Sequence, residues 1–230
     1  MERDGAIVIL LGAGAGRRLG ASEPKALLPI GGRPLLGVAA ASAAATPVVR
    51  ALVVTYPRGW ERRARDCLDG LPTPIRLVEG GASRQESVRL ALQEVAAGEP
   101  FVAVHDAARP FASPDLFARV LGAIAGGADG AVPVVPVSDS VLRVRDESVE
   151  GWEPREDLAL GQTPQAFRTE VLREAHEKAE AAGASFTDDA SLLRWAGHEV
   201  RVVPGDMANL KITTLADLAE ADRRMGGVDA

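Results

Sequence analysis

Ala6-Ile7-Val8-Ile9-Leu10-Leu11 runs directly into Gly12-Ala13-Gly14-Ala15-Gly16-Arg17-Arg18-Leu19-Gly20. Six consecutive apolar residues have strand length. Continuous rather than alternating apolarity suits a strand covered on both faces, as in a parallel sheet. Doubly wound α/β folds bind ligands at the carboxyl ends of such strands. Glycines there let backbone N–H groups come close to phosphate oxygens. Spacing excludes two familiar phosphate loops. The dinucleotide fingerprint GxGxxG, counted from Gly12 or Gly14, puts Arg17 or Leu19 at its third glycine, and no GxxxxGK[ST] loop occurs. What remains is a glycine loop with its own cations, Arg17, Arg18 and Lys25. Arginine forks and a lysine point charge suit a triphosphate. The segment also reads as a tight turn with solvated arginines.

Outward from this loop, short apolar runs at 51–56, 75–78, 101–105 and 131–135 alternate with helical patterns. The segment 35–45 is Ala-rich after Pro34; 83–97 opens with Ser83 and Glu86 at capping-box spacing; Pro114–Ala125 follows Ser113. Such alternation predicts an α/β fold with a doubly wound, mostly parallel Rossmann-like sheet. The pattern breaks at 138–153, where Val141, Leu142, Val144 and Val149 sit among charges around Arg145-Asp146-Glu147. This reads as an inserted β-hairpin arm at about 138–154, marginal alone and expected to pack on something, such as another subunit. Helices are expected around Thr169–Ala182, 188–195 and 214–225, with a strand at 199–203. One domain over 1–230 is expected, with no repeat or linker.

The 230 residues suit one α/β domain, and 47 % apolar with 25 % charged residues is ordinary globular composition. A formal charge of −6 speaks against a nucleic-acid polymer or an anionic membrane as partner. Lysine occurs only at Lys25, Lys178 and Lys211, so arginine carries nearly all the positive charge. The lone Cys67 allows neither an intramolecular disulfide nor a cysteine-based zinc site and reads as a half-buried structural thiol. No stretch reads as a secretory signal or a membrane span, so a soluble cytoplasmic protein is expected. Asp106 ends the 101–105 strand, where one carboxylate could hold Mg²⁺ on phosphate oxygens or simply cap a loop. His105 reads as structural, and His176 and His198 have no evident companions.

Four later motifs narrow the reading. They are Gly80-Gly81-Ala82-Ser83-Arg84-Gln85-Glu86-Ser87-Val88, His105-Asp106-Ala107-Ala108-Arg109-Pro110, Gln162-Thr163-Pro164-Gln165 and Asn209-Leu210-Lys211-Ile212-Thr213. With the glycine loop, Pro24-Lys25 and Gly31-Gly32, they follow the order found in 2-C-methyl-D-erythritol 4-phosphate cytidylyltransferases. The chain resembles that family from Val8 to its last helix. The resemblance implies joining of CTP to 2-C-methyl-D-erythritol 4-phosphate. The products are 4-diphosphocytidyl-2-C-methyl-D-erythritol and pyrophosphate, in non-mevalonate isoprenoid biosynthesis. A ribitol-5-phosphate cytidylyltransferase and a non-catalytic nucleotide-binding protein are the alternatives.

The resemblance also implies residue roles. Arg18 and Lys25 stabilise the α-phosphate in transfer, Arg17 binds the outer phosphates, and Asp106 holds Mg²⁺. Ala13, Gly14 and Gly16 belong to the CTP loop, Gly81 and Ser87 approach the cytosine, and Arg84 and Ala107 line the substrates. Arg109, Ser140, Arg155, Thr163 and Lys211 match the polyol-phosphate positions, Arg155 and Lys211 orienting it for attack. The implied assembly is a homodimer whose arms cross, so that active sites form between subunits. Ser140 stands where threonine is usual; Ala26, Leu11 and Ala159-Leu160 also depart from the pattern.

Overall fold

The computed structural model describes residues 5–14 and 23–226. Its strands are β1 (Ala6–Leu11), β2 (Pro29–Ile30), β3 (Arg33–Pro34), β4 (Val49–Tyr56), β5 (Ile75–Glu79), β6 (Phe101–Asp106), β7 (Gly130–Pro136), β8 (Val141–Arg145), β9 (Ser148–Glu153), β10 (Ala159–Gly161), β11 (Gln165–Arg168) and β12 (Val200–Pro204). Its helices are α1 (Leu35–Ala44), α2 (Glu61–Asp66), α3 (Arg84–Gln93), α4 (Pro114–Ala125), α5 (Thr169–Ala182), α6 (Asp189–Ala196) and α7 (Leu215–Gly226). None of them is long and apolar enough to cross a membrane.

The main sheet has the order β10-β7-β11-β6-β1-β4-β5, with β12 also pairing β7. β1 lies inside it, parallel to β4 and β6, with Ile9 level with Val53 and Val104. Period-two alternation divides β1 between two cores. Ala6, Val8 and Leu10 pack with Leu36 and Ala40 of α1 and with Phe117 and Val120 of α4. Ile7 and Ile9 pack with Val88 of α3, Leu172 of α5 and Leu193 of α6. Both faces are therefore covered, which is why the strand reads as an unbroken apolar run.

Two pieces of the sheet carried no sequence signal. β10 and β11 run antiparallel to β7, and β11 lies between β6 and β7, antiparallel to both. The sheet is thus mostly but not wholly parallel. α3 stops at Gln93, short of the expected 97. Val95 N–H turns back to the Leu92 carbonyl, and Gly98 takes a φ of 85°, which closes the chain into a turn.

β2 and β3 form a separate ribbon joined by Gly31 and Gly32, whose φ values of 54° and 72° suit the primed two-residue hairpin turn. α7 docks on this ribbon. The Gly31 N–H donates to Asp222 at 2.7 Å, and Ile30, Leu35, Ile212 and Ala221 form a small core of their own.

The arm is present as an isolated antiparallel pair, β8 with β9, turning at Asp146 and Glu147. Leu142, Val144, Val149 and Trp152 are exposed on it. Cys67 is half-buried; its thiol donates to the Arg63 carbonyl at 3.0 Å, and burial pushes its pKa up, so it is an inert structural thiol.

Candidate active site

The carboxyl ends of β1, β5 and β6 open on one cavity of about 340 Å³. Its lining includes Ala13, Gly14, Lys25, Gly81, Arg84, Ser87, Asp106 and Lys211. Close backbone approach explains the glycine leading into it. Gly12 N–H lies 3.0 Å from the Thr55 carbonyl, and a Cβ on Gly12 would come within 2.7 Å of that oxygen. A Cβ on Gly80 would collide with that of Ala13, so the loops after β1 and β5 abut. Ser83 caps α3 by accepting from Glu86 N–H at 3.0 Å. This frames Ser87, whose hydroxyl donates to the Ser83 carbonyl at 2.8 Å and accepts from Gly81 N–H at 3.1 Å.

Two lysines distant in sequence meet here. Pro24 leads into a short 3₁₀ turn, Lys25–Leu27, and Lys25 Nζ donates to the Ile212 carbonyl at 3.1 Å across 187 residues. The adjacent Lys211 Nζ lies 2.7 Å from Asp106 Oδ2. Arg84, in the first turn of α3, donates through Nε to Asp106 Oδ1 at 3.3 Å and through Nη1 to Asp189 Oδ2 at 2.7 Å. Asp189 in turn accepts from His176 Nε2 at 3.2 Å. The result is a row of alternating charge that runs from exposed Lys211 through Asp106 and Arg84 to buried Asp189.

Burial alone would raise the Asp106 carboxyl pKa. The Arg84 and Lys211 charges outweigh it and hold the group ionised, well below the usual carboxylate range. Burial likewise opposes the charge on Arg84, and the two carboxylates reverse that effect. The Nη2 of Arg84 is buried with no acceptor among the described residues, so it can donate to a ligand oxygen.

Beneath the cavity, the Asp106 N–H donates to Thr163 Oγ1 at 3.0 Å, and Thr163 Oγ1 lies 3.0 Å from His105 Nδ1. Arg109 is spent largely on backbone: its Nη1 donates to the Asn209 carbonyl at 2.8 Å and its Nη2 to the Gly161 carbonyl at 3.3 Å. Gln162 grips the 206–209 loop, with Nε2 donating to the Asp206 carbonyl at 2.8 Å and Oε1 accepting from Asp206 N–H at 3.1 Å. Asn209 Nδ2 donates to the Thr163 carbonyl at 2.9 Å. Gln165 Oε1 accepts from Ala190 N–H at the start of α6.

Known proteins resemble this chain along nearly its whole length. The sequence model described as "IspD: 2-C-methyl-D-erythritol 4-phosphate cytidylyltransferase" matches residues 6–226. The chain belongs to this cytidylyltransferase family. It is 44 % identical over 218 residues to the 2-C-methyl-D-erythritol 4-phosphate cytidylyltransferase of Deinococcus radiodurans, covering 94 % of this chain and 88 % of that protein. It is 43 % identical over 224 residues to the bifunctional enzyme IspD/IspF of Nitratidesulfovibrio vulgaris; there it spans 94 % of its own length but 57 % of the relative's. Among solved structures, the cytidylyltransferase of Thermus thermophilus superposes with a TM-score of 0.79 at 39 % identity, over 94 % of this chain and 96 % of that one.

Within this cytidylyltransferase fold, those expected site residues that the structure describes fall into three groups. Ala13, Gly14, Lys25, Gly81, Arg84, Ser87, Asp106 and Lys211 share the cavity. Ala107, Arg109 and Thr163 lie against its floor, with Ala107 N–H bonded to the Leu11 carbonyl. Ser140 and Arg155 line a different cavity of about 520 Å³ on the arm, with Trp152 and Leu142. Arg155 there donates to the Ser138 carbonyl at 2.9 Å and stays exposed. Gly16, Arg17 and Arg18 lie outside the described residues.

The expectation that His176 and His198 lack companions is corrected. His176 meets buried Asp189, and His198 Nδ1 lies 3.5 Å from Asp129. Asp189 itself was not foreseen, because its only local signal is a helix-start Asp188-Asp189 pair.

Proposed function

We propose that this chain transfers the cytidylyl group of CTP to 2-C-methyl-D-erythritol 4-phosphate, releasing pyrophosphate. The observation that carries the reading is the convergence of Lys25, Lys211 and Asp106 on one cavity at the mouth of the sheet, in a chain of this family.

An oxygen of the polyol phosphate attacks the α-phosphorus of CTP in line. The new P–O bond forms as the bond to the bridging oxygen breaks, and the electron pair leaves on pyrophosphate. Both reactants are anions, so catalysis rests on neutralising charge and aligning the two. Lys25, tethered to the loop that carries Lys211, neutralises charge on the α-phosphate. The Nη2 donor of Arg84, which meets no acceptor among the described residues, takes a ligand oxygen. No protein nucleophile is required.

The cavity suits Mg²⁺ as cofactor. Asp106 offers one ionised carboxylate, and among the described residues no group of three or more His, Cys, Asp or Glu could form an all-protein cage. Magnesium favours this set, a single carboxylate with phosphate oxygens and water. When bound it supplies charge neutralisation across the triphosphate.

We further infer a homodimer. Ser140 and Arg155 sit on an arm whose exposed Trp152 and Leu142 ask for a partner surface, and they line a cavity apart from Lys25 and Lys211. In that assembly Arg155 serves the partner's site.

Pyrophosphate release from CTP and Mg²⁺, measured separately with 2-C-methyl-D-erythritol 4-phosphate and ribitol 5-phosphate, tests the proposal. Release with the first acceptor is expected. Release with ribitol 5-phosphate alone overturns the substrate assignment, and release with neither overturns the reaction.

A further inference from the structure

His105 is the most buried titratable side chain beside the cavity that transfer itself does not use. It sits on β6 with no exposed surface, edge-on to Phe117 at 5.0 Å between ring centroids. Both ring nitrogens are engaged. Nε2 lies 3.1 Å from the Arg109 carbonyl and Nδ1 3.0 Å from Thr163 Oγ1.

Donor and acceptor directions follow from chemistry. A carbonyl only accepts, so Nε2 carries the proton. In the neutral ring Nδ1 is then a lone pair and accepts the Thr163 O–H. The Thr163 oxygen keeps its own lone pairs for the Asp106 N–H at 3.0 Å. The Arg109 N–H bonds the Asp106 carbonyl at 2.9 Å, closing the turn whose far carbonyl His105 holds.

We propose that His105 is a positioning residue for the transfer: one buried imidazole aims Asp106 through the Thr163 hydroxyl and fixes the Arg109 turn through its carbonyl. The proposal rests on the cytidylyl-transfer reading and deepens it. A histidine that merely filled space would need its contact with Phe117 and neither polar link. Here the same ring holds the turn of its own motif at Arg109 and reaches a second motif at Thr163, joining both to the strand end that bears the carboxylate.

Two near-isosteres separate the links. His105→Asn keeps an oxygen near the Nδ1 position to accept from Thr163 and loses the donor to Arg109. His105→Gln keeps an amide N–H near the Nε2 position for Arg109 and loses the acceptor for Thr163. The Asn variant is expected to raise KM for the polyol phosphate about ten-fold with kcat held. The Gln variant is expected to lower kcat about ten-fold with that KM held. Ten-fold is about what one lost buried hydrogen bond is worth. His105→Phe should show both effects.

An activity-independent readout accompanies these: exchange of the Asp106 amide hydrogen should accelerate in the Gln variant and not in the Asn variant. Identical kinetic changes in the Asn and Gln variants, or a Phe variant with unchanged kcat and KM, would overturn the assignment. Should the Phe variant fail to fold, the Asn–Gln split and the amide exchange decide alone. A wild-type chain that releases no pyrophosphate strikes the transfer reading instead, and the amide-exchange contrast still tests the two links.

Discussion

Replacing Asp189 by Asn removes one negative charge from the buried end of the row and leaves its shape. Asp189 now receives two donors, Arg84 Nη1 on one oxygen at 2.7 Å and His176 Nε2 on the other at 3.2 Å. An asparagine has one acceptor oxygen and one NH₂ group, so it turns a donor toward a donor on one side. The charge loss can be sized. A unit pair about 4 Å apart is worth about 4 kcal/mol at an effective dielectric near 20. Breaking a buried pair from one side typically costs about 3–5 kcal/mol. Arg84 keeps Asp106 as a second, more distant counter-charge at 3.3 Å, which places the expected loss near the lower figure, about 3 kcal/mol.

The structure holds an internal control at nearly the same distance. Arg58 Nε meets Glu79 Oε1 at 2.8 Å, but the Arg58 side chain is 89 % exposed against 2 % for Asp189. Glu79→Gln should therefore change stability far less than Asp189→Asn. Thermal and urea unfolding of the ligand-free protein measures both. For a chain of this size, about 3 kcal/mol lowers Tm by roughly 6–12 °C. Equal losses for the two variants, or less than about 1 kcal/mol for Asp189→Asn, would refute the argument that burial rather than distance sets the value of these pairs.

Three further outcomes are expected. Lys25→Ala should lower kcat by about 10²–10³-fold, the usual loss when a transition-state donor is removed, with an unchanged circular dichroism spectrum; turnover near wild type would exclude the assigned role. Arg155→Ala should raise KM for the polyol phosphate well beyond that for CTP in steady-state assays, and equal effects on both substrates would sink the division of the site. Asp217 accepts from Thr213 N–H and Oγ1 and from Thr214 N–H at the start of α7; these bonds lower its pKa to about 2. Because the folded value lies below the unfolded one, its contribution is present above about pH 4 and is lost as pH falls toward 2. The stability gap between wild type and Asp217→Asn should accordingly close on acidification, and a gap constant from pH 6 to 2 would contradict the capping account.

The parts of this molecule that could be read from sequence are those whose cause is local. β1 shows as an apolar run because both its faces are covered within the domain, and the Gly12 that follows it is forced by the Thr55 carbonyl. The caps of α3 and α4 need only Ser83 and Ser113 and the residues three places on. β10 and β11 stayed hidden because three and four residues are too few for a period, and their strand character comes from β7. Asp189 stayed hidden because its meaning is Arg84, 105 residues away. Residue type shows which side chains have the chemistry to meet a phosphate: lysine, arginine, aspartate at a strand end. It does not show which ordinary residues hold those in place. Gln162, Gln165, Asn209 and His105 resemble ligand groups because they stand in motifs beside them, yet their polar atoms bond other segments of the protein. Gln162 joins β10 to the 206–209 loop, Asn209 joins that loop to Thr163, and His105 joins Thr163 to Arg109. Much of what makes these motifs distinctive is therefore bonding between one motif and the next, and it holds the few cations that meet the substrates in register.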